Sequence, residues 1–354
     1  MAQRIRLTMM SVTTMLAIAA SFGAKADSIA DFYKGKSIDF IIGAAVGGAY
    51  DLPGRLVAHH LGDHIPGNPP VVVRNMEGGN GLRMTNTLYN VSPKDGTVIG
   101  MSNSAIPLEP LLKVLSPDGA NVHFDVTKFE WIGSPSQETY VTFVWHTAPA
   151  KTFADLKRLP IMTGGTASLG DAVALPKLMN ALAGTKFNII KGYGGQNDIF
   201  LAMERGELQA NTTGLTNLTS SRAEWVRDGK IRVLVQYTGN TVDKTSPILK
   251  GVPSALDLVE SEQDRTLLRF LFSKYRMARV IFAAPGAPPE RIQTLRDAFD
   301  ATMKDPAFLS ESAKAGLEVN PFRGAEVAAL IKELYAVPPA IVERARAILL
   351  SDQK

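Results

Sequence analysis

Residues 37–61 read SIDFIIGAAVGGAYDLPGRLVAHHL. Ile38, Phe40, Ile41 and Ile42 make an apolar run of strand length, Gly43 to Ala49 is a run of small residues, and Leu52 to Leu61 resumes at helical spacing. The order is strand, small-residue loop, helix. Asp51 suits the N-cap and Pro53 the first turn, so the helix is expected to open at the loop, with its free N–H groups and positive dipole end turned towards it. Gly47 and Gly48 let backbone amides approach a ligand with no Cβ in the way. The run lacks the Gly-Lys-Ser/Thr of a phosphate loop and the GxGxxG dinucleotide fingerprint, which leaves a carboxylate-sized site or an ordinary tight turn.

The same order recurs outward from this stretch. Val71 to Val73 is a strand that runs through Arg74-Asn75 to a second small-residue loop, Glu77 to Gly81, and a helix over Leu82 to Tyr89. Thr97 to Met101 is a strand opening into Ser102-Asn103-Ser104, before a helix expected around Leu108 to Leu115. Strands alternating with helices predict a parallel sheet covered on both faces, with ligands at the carboxyl ends of its strands. Tyr140 to Trp145 reads as a strand crossing to a second α/β unit. There the opening element is repeated: Leu159 to Met162, the loop Thr163 to Asp171 with Gly165, Thr166 and Ser168, and a helix over Ala172 to Ala183. Phe187–Ile190, Gln209–Thr213 and Ile231–Tyr237 are further strands, Arg276 to Ala284 a β-like return crossing, and three helical segments from Pro289 close the chain, the last broken at Pro338-Pro339. Two anion-ready loops, one in each half, suggest a ligand gripped between two domains.

With 354 residues, 45% of them hydrophobic, the chain can hold two domains with a sizeable core. Arg4 and Arg6, the apolar span from Leu7 to Phe22, and Ala24-Lys25-Ala26 read as a signal peptide cleaved after Ala26. Its three basic residues account for most of the net charge of +4, and no Lys/Arg stripe remains to suggest nucleic acid. There is no cysteine, so an exported fold must stand without disulfides.

In order and spacing, these motifs resemble the TctC, or Bug, family of periplasmic solute-binding receptors of tripartite tricarboxylate transporters. The resemblance runs from Phe32-Tyr33-Lys34-Gly35-Lys36 through Gly47 to Asp51, Val71 to Asn75, Gly78 to Gly81 and Pro93 to Thr97. It continues through Gly164 to Ser168, Gly192 to Gly195, Gly206-Glu207-Leu208 and Val252-Pro253-Ser254 to Ala284-Pro285-Gly286-Ala287-Pro288. Ala44 to Val46 stand where the family usually has prolines, Ala49-Tyr50 where it has Gly-Thr, and Met76-Glu77 where a proline follows the Asn; these departures bear on the substrate. The resemblance implies an α/β, two-lobed periplasmic-binding-protein fold (type II-like, a Venus flytrap) with two crossing hinge strands. Lobe 1 would comprise 27–137 and 255–354, and lobe 2 138–254. It implies a monomer in the periplasm that binds a small organic acid, without catalysis, metal or cofactor, and delivers it to large and small integral-membrane subunits of the TctA/TctB type. The carried-over ligand-binding residues are Gly47, Gly48 and Asp51 in the first loop, Gly165, Thr166 and Ser168 in the second, and Ser104 and Tyr193 facing the cleft; Tyr50 joins them as a ring able to stack or hydrogen-bond.

Each candidate has a plainer role as well. Asp51 reads first as a helix cap, and Thr166 and Ser168 compete with capping at Asp171. His59, His60 and His64 read as solvated surface residues, His60 and His64 sharing a helical face without a carboxylate at ligand spacing other than Asp63. No nucleophile-and-base constellation is present. A secreted hydrolase or lyase using Asp51 or Asp171 as base is the alternative, but a carboxylate at a helix N-terminus is a poor base near neutral pH. A ligand-sensing component of a signalling system is the other. Tyr50 and the lack of an obvious cleft Arg or Lys point to a mono- or dicarboxylate before a tricarboxylate or an aromatic acid.

Overall fold

The computed structural model describes residues 28–47, 50–116, 119–166, 170–239 and 246–351; the signal-peptide reading lies outside them. Two sheets carry the chain. The strands are β1 (Ile38–Ile42), β2 (Val71–Asn75), β3 (Val98–Asn103), β4 (Glu130–Ser134), β5 (Tyr140–Trp145), β6 (Ile161–Gly165), β7 (Phe187–Lys191), β8 (Ala210–Gly214), β9 (Ile231–Tyr237), β10 (Arg279–Ala283) and β11 (Phe322–Arg323). The first sheet has the order β11-β4-β10-β3-β1-β2 and the second β7-β6-β8-β5-β9.

The expectation of parallel sheets holds only in part. β1 runs parallel to β2 and β3, and β6 to β7 and β8, but β10 is antiparallel to both β3 and β4, and β5 to both β8 and β9. β5 and β10 are the strands by which the chain enters the second sheet and returns to the first. Central strands buried on both faces read as the same unbroken apolar run whichever way they point, so the pattern could not reveal their direction.

β1 shows that two-sided burial: Ile38 and Phe40 face a core with Leu56, Val57 and Phe299, and Ile41 faces the other, larger core. That larger core runs on into the second sheet. It contains Phe129, Trp131 and Phe282 from the first and Ala210, Val235 and Tyr237 from the second. Two helices join it. Glu262–Phe272, which the sequence reading passed over, is capped by Ser261 accepting from the Asp264 N–H. It packs against Pro339–Leu350, and that helix also packs against Asp171–Ala183, where the buried Lys177 ammonium donates to the Leu349 and Ser351 carbonyls. The closing segment breaks as expected, into Gly324–Tyr335 and Pro339–Leu350. The helix expected over Leu108 to Leu115 is instead a short 3-10 turn and one helical turn ending at Leu112.

Candidate functional site

β1 ends at Ile42, and the loop that follows is laced shut from behind. Asp51 is the first residue of the Asp51–Leu61 helix and not its cap, a position Tyr50 holds without a side-chain bond. The carboxylate turns back instead. Its Oδ2 accepts from the Gly47 N–H at 2.9 Å, and its Oδ1 from Arg55 Nε at 3.0 Å and Asn75 Nδ2 at 2.8 Å. Asn75 also donates to the Ala44 carbonyl at 3.0 Å, so the end of β2 fixes the same loop. Burial pushes the Asp51 pKa up, but the bonds from Arg55, Gly47 and Asn75 outweigh it and bring it down to about 2. With three donors in place, Asp51 is a brace for the loop and has no capacity to act as a base near neutral pH.

The second loop is built differently. β6 ends at Gly165, where a Cβ would lie 2.2 Å from Val173 Cγ2, so only a glycine lets the Asp171–Ala183 helix begin this close to the strand. Gly170 is the N-cap residue, and Asp171 opens the helix. The Asp171 carboxylate accepts from Lys274 Nζ at 2.6 Å and from the Tyr275 hydroxyl at 2.8 Å. Tyr140 stacks on Tyr275 at 4.7 Å. A carboxylate held by two partners from the turn that precedes β10 is a tie between segments, not a free base.

The two loops face each other across a chamber of about 760 Å3, bordered by Gly47, Leu52 and Pro53 on one side and Thr166, Gly170 and Asp171 on the other. Thr213 of β8, Thr216 and Asn217 of the helix Leu215–Ser221, and Gln196, which opens the helix Gln196–Glu204, add hydroxyl and amide groups, and Arg279, the first residue of β10, adds a guanidinium. Arg279 Nη1 donates to Ser136 Oγ at 2.6 Å, while its Nε has no partner; Gln196 Nε2 is likewise buried and unpaired. Spare donors of this kind are unusual in a folded chain and mark a place where an acceptor belongs. Burial raises the Glu138 pKa against the opposing charge of Arg279. Tyr50 lies among these groups: burial pushes its pKa up to about 12, with Arg279, Asp171 and Glu138 near enough to act on it and the Ser104 main chain bonded to its hydroxyl.

The sequence-predicted residues are therefore scattered around this chamber. Gly47 and Thr166 border it, and Tyr50 is half-buried among its charged groups. Asp51 lies behind the first loop, Gly165 beneath the second, and Ser104 is engaged through its main chain. Tyr193 is absent from the chamber wall and packs beside Gly164, Ile199 and Leu208. Gly48 and Ser168 lie outside the described residues. No obvious cleft Arg or Lys stands out in the sequence, yet the Arg279 guanidinium borders this chamber. The one signal was positional: Arg279 pairs with Asn103, so the return strand begins beside the Ser102–Ser104 loop.

The histidines also depart from expectation. His60 is buried, and its Nε2 lies 2.7 Å from Glu311 Oε2, with His59 Nδ1 3.1 Å from the same oxygen and His64 Nε2 3.0 Å from Asp305 Oδ2. They tie the first-loop helix to Pro306–Lys314. The carboxylates come from more than 240 residues along the chain, which no local spacing could show.

No protein-family model matches the chain. It is similar to a Cupriavidus necator protein described as "UPF0065 protein in gbd 5'region", at 23% identity over 341 residues and 94% of each chain. Among solved structures it resembles a TctC solute binding protein from Polaromonas, with a TM-score of 0.68 and 16% identity over 88% of this chain and 99% of that one. It also resembles Rpa4515 of R. palustris, solved with adipate, with a TM-score of 0.58 and 17% identity over 88% and 97%. The two-sheet α/β architecture is thus the two-lobed fold of periplasmic solute-binding proteins, and the resemblance read from the sequence motifs agrees with it.

Proposed function

We propose that this chain is an extracytoplasmic solute receptor of the TctC/Bug type, which binds a small organic carboxylate between lobes formed by residues 27–137 with 255–354 and by residues 138–254. The observation that carries the reading is the polar chamber: a strand–loop–helix unit from each sheet faces it, and Arg279 borders it with a spare N–H. Carboxylates are held most strongly by guanidinium groups, backbone amides and hydroxyls, all of which border this one volume. The adipate in the structure of Rpa4515 supports the same ligand class.

In this reading binding is the whole task. The ligand draws the lobes together by contacting both, since a ligand shifts an opening–closing equilibrium only through contacts that differ between the states. Residues 1–26 direct export and are removed after Ala26, and the closed receptor hands its acid to a membrane complex of large and small subunits. Among the described residues no helix is long and apolar enough to cross a membrane.

A thermal-shift screen of residues 27–354 against mono-, di- and tricarboxylates and aromatic acids tests the proposal. A ligand at a thousandfold its dissociation constant adds about 4 kcal/mol, a shift of several degrees. One acid class raising the midpoint is the expected result; no shift with any acid would remove the basis for the reading.

A further inference from the structure

A second chamber, of about 520 Å3, adjoins the first and shares Gly170 and Asp171 with it. Its walls differ in kind. Leu108 and Leu112 come from the segment after β3, Leu175 and Leu178 from the Asp171–Ala183 helix, and Leu271 and Phe272 from the Glu262–Phe272 helix. Both halves of the chain therefore build it. Its charged groups, Asp171 and Lys274, are paired with each other at 2.6 Å, so neither calls for an ion inside. A chamber with this lining has little to hold water, and folded interiors pack too closely to leave such a volume without a use. A short, fully polar acid in the first chamber would leave it vacant.

Resting on the receptor reading above, we propose that the acid is amphiphilic: a monocarboxylate whose head lies in the polar chamber and whose apolar tail passes Gly170 into the leucine-lined one. A second carboxylate at the far end of the tail would meet Leu108, Leu112 and Leu178 in a chamber whose remaining polar groups are Asn80 and the Lys274 and Tyr275 already paired with Asp171, which is costly for a charge out of water. The chamber thus selects a medium-chain alkanoic or arylalkanoic acid over a dicarboxylate of the same length.

The test is calorimetric titration of residues 27–354 with butanoate, hexanoate, octanoate and adipate. Affinity is expected to rise about fourfold with each added methylene, the gain from taking one CH2 out of water, and hexanoate should bind more tightly than adipate. Ala174, buried on the same helix and bordering the chamber, supplies the variant. Ala174→Phe fills the space, and should abolish the rise from butanoate to octanoate while leaving butanoate affinity as it was. If that variant does not fold, the wild-type series decides alone. Affinity that is flat or falls with tail length, or adipate binding as tightly as hexanoate, overturns the amphiphile and leaves the receptor standing. Equal loss of butanoate and octanoate by a folded Ala174→Phe overturns the division into head and tail chambers. Binding of none of the four, nor of any acid in the wider screen, overturns the receptor reading and this one with it.

Discussion

Asp51 accepts three hydrogen bonds, so the shape of the first loop depends on one carboxylate staying ionised. Its pKa falls from the ordinary 3.8 to about 2 on folding. A depressed carboxylate stabilises the fold fully above its unfolded pKa and loses that contribution as pH falls through the folded one, here between about pH 4 and pH 2. Because Arg55 is 44% exposed, screening reduces the contribution to roughly 1 kcal/mol. Asp51→Asn should therefore be less stable than the native chain by about that much at pH 6, and the gap should close by pH 2 in urea melts; a gap that stays constant across this range contradicts the account. Arg279 is the residue on which affinity should turn. Arg279→Gln removes the guanidinium bordering the polar chamber, and a charge-assisted bond lost there is expected to weaken carboxylate binding about 10- to 100-fold by calorimetry. A change of less than threefold would show that the acid sits elsewhere. Gly47 and Thr166, which border the chamber, stand where local pattern can point, after a strand and before a helix, whereas Arg279 is remote from both loops in sequence and comes to the same chamber through the pairing of β10 with β3.

At the scale of elements, the close approach of the Asp171–Ala183 helix to β6 aims the helix start at the cleft. Gly165→Ala would place a methyl 2.2 Å from Val173 Cγ2, and the helix must move or Val173 must leave its rotamer. The expected cost is about 1–3 kcal/mol in chemical denaturation, with carboxylate affinity reduced as well; adding Val173→Ala should restore part of both. An unchanged melt for Gly165→Ala would contradict this packing. The elements flanking the loops were legible because an apolar run ending in glycines and restarting at helical spacing has few other solutions. Glu262–Phe272 was not picked out, although Ser261 and Asp264 are an N-terminal signal and Leu267, Leu268 and Leu271 follow at helical spacing. β4 is five residues without alternation, too short and too uniformly buried to announce itself.

At the scale of the molecule, two sheets that the chain visits in turn are joined by one continuous core and by the terminal helix Pro339–Leu350, which packs against the helix that opens the second loop. Sequence pattern marks where the chain crosses between sheets but not how the elements around the two sheets meet, because those contacts pair residues far apart, as Lys274 with Asp171 and Lys177 with Leu349. Asp171 borders both chambers, and its partner Lys274 borders the leucine-lined one. Carboxylate binding without turnover is tested by equilibrium dialysis of residues 27–354 against the acid that gives the largest thermal shift, followed by mass spectrometry of the retained ligand. One molecule of acid per chain is expected, recovered chemically unchanged after prolonged incubation. Acid that is not retained, or that is returned as a different compound, would contradict a receptor that binds a carboxylate and leaves it intact.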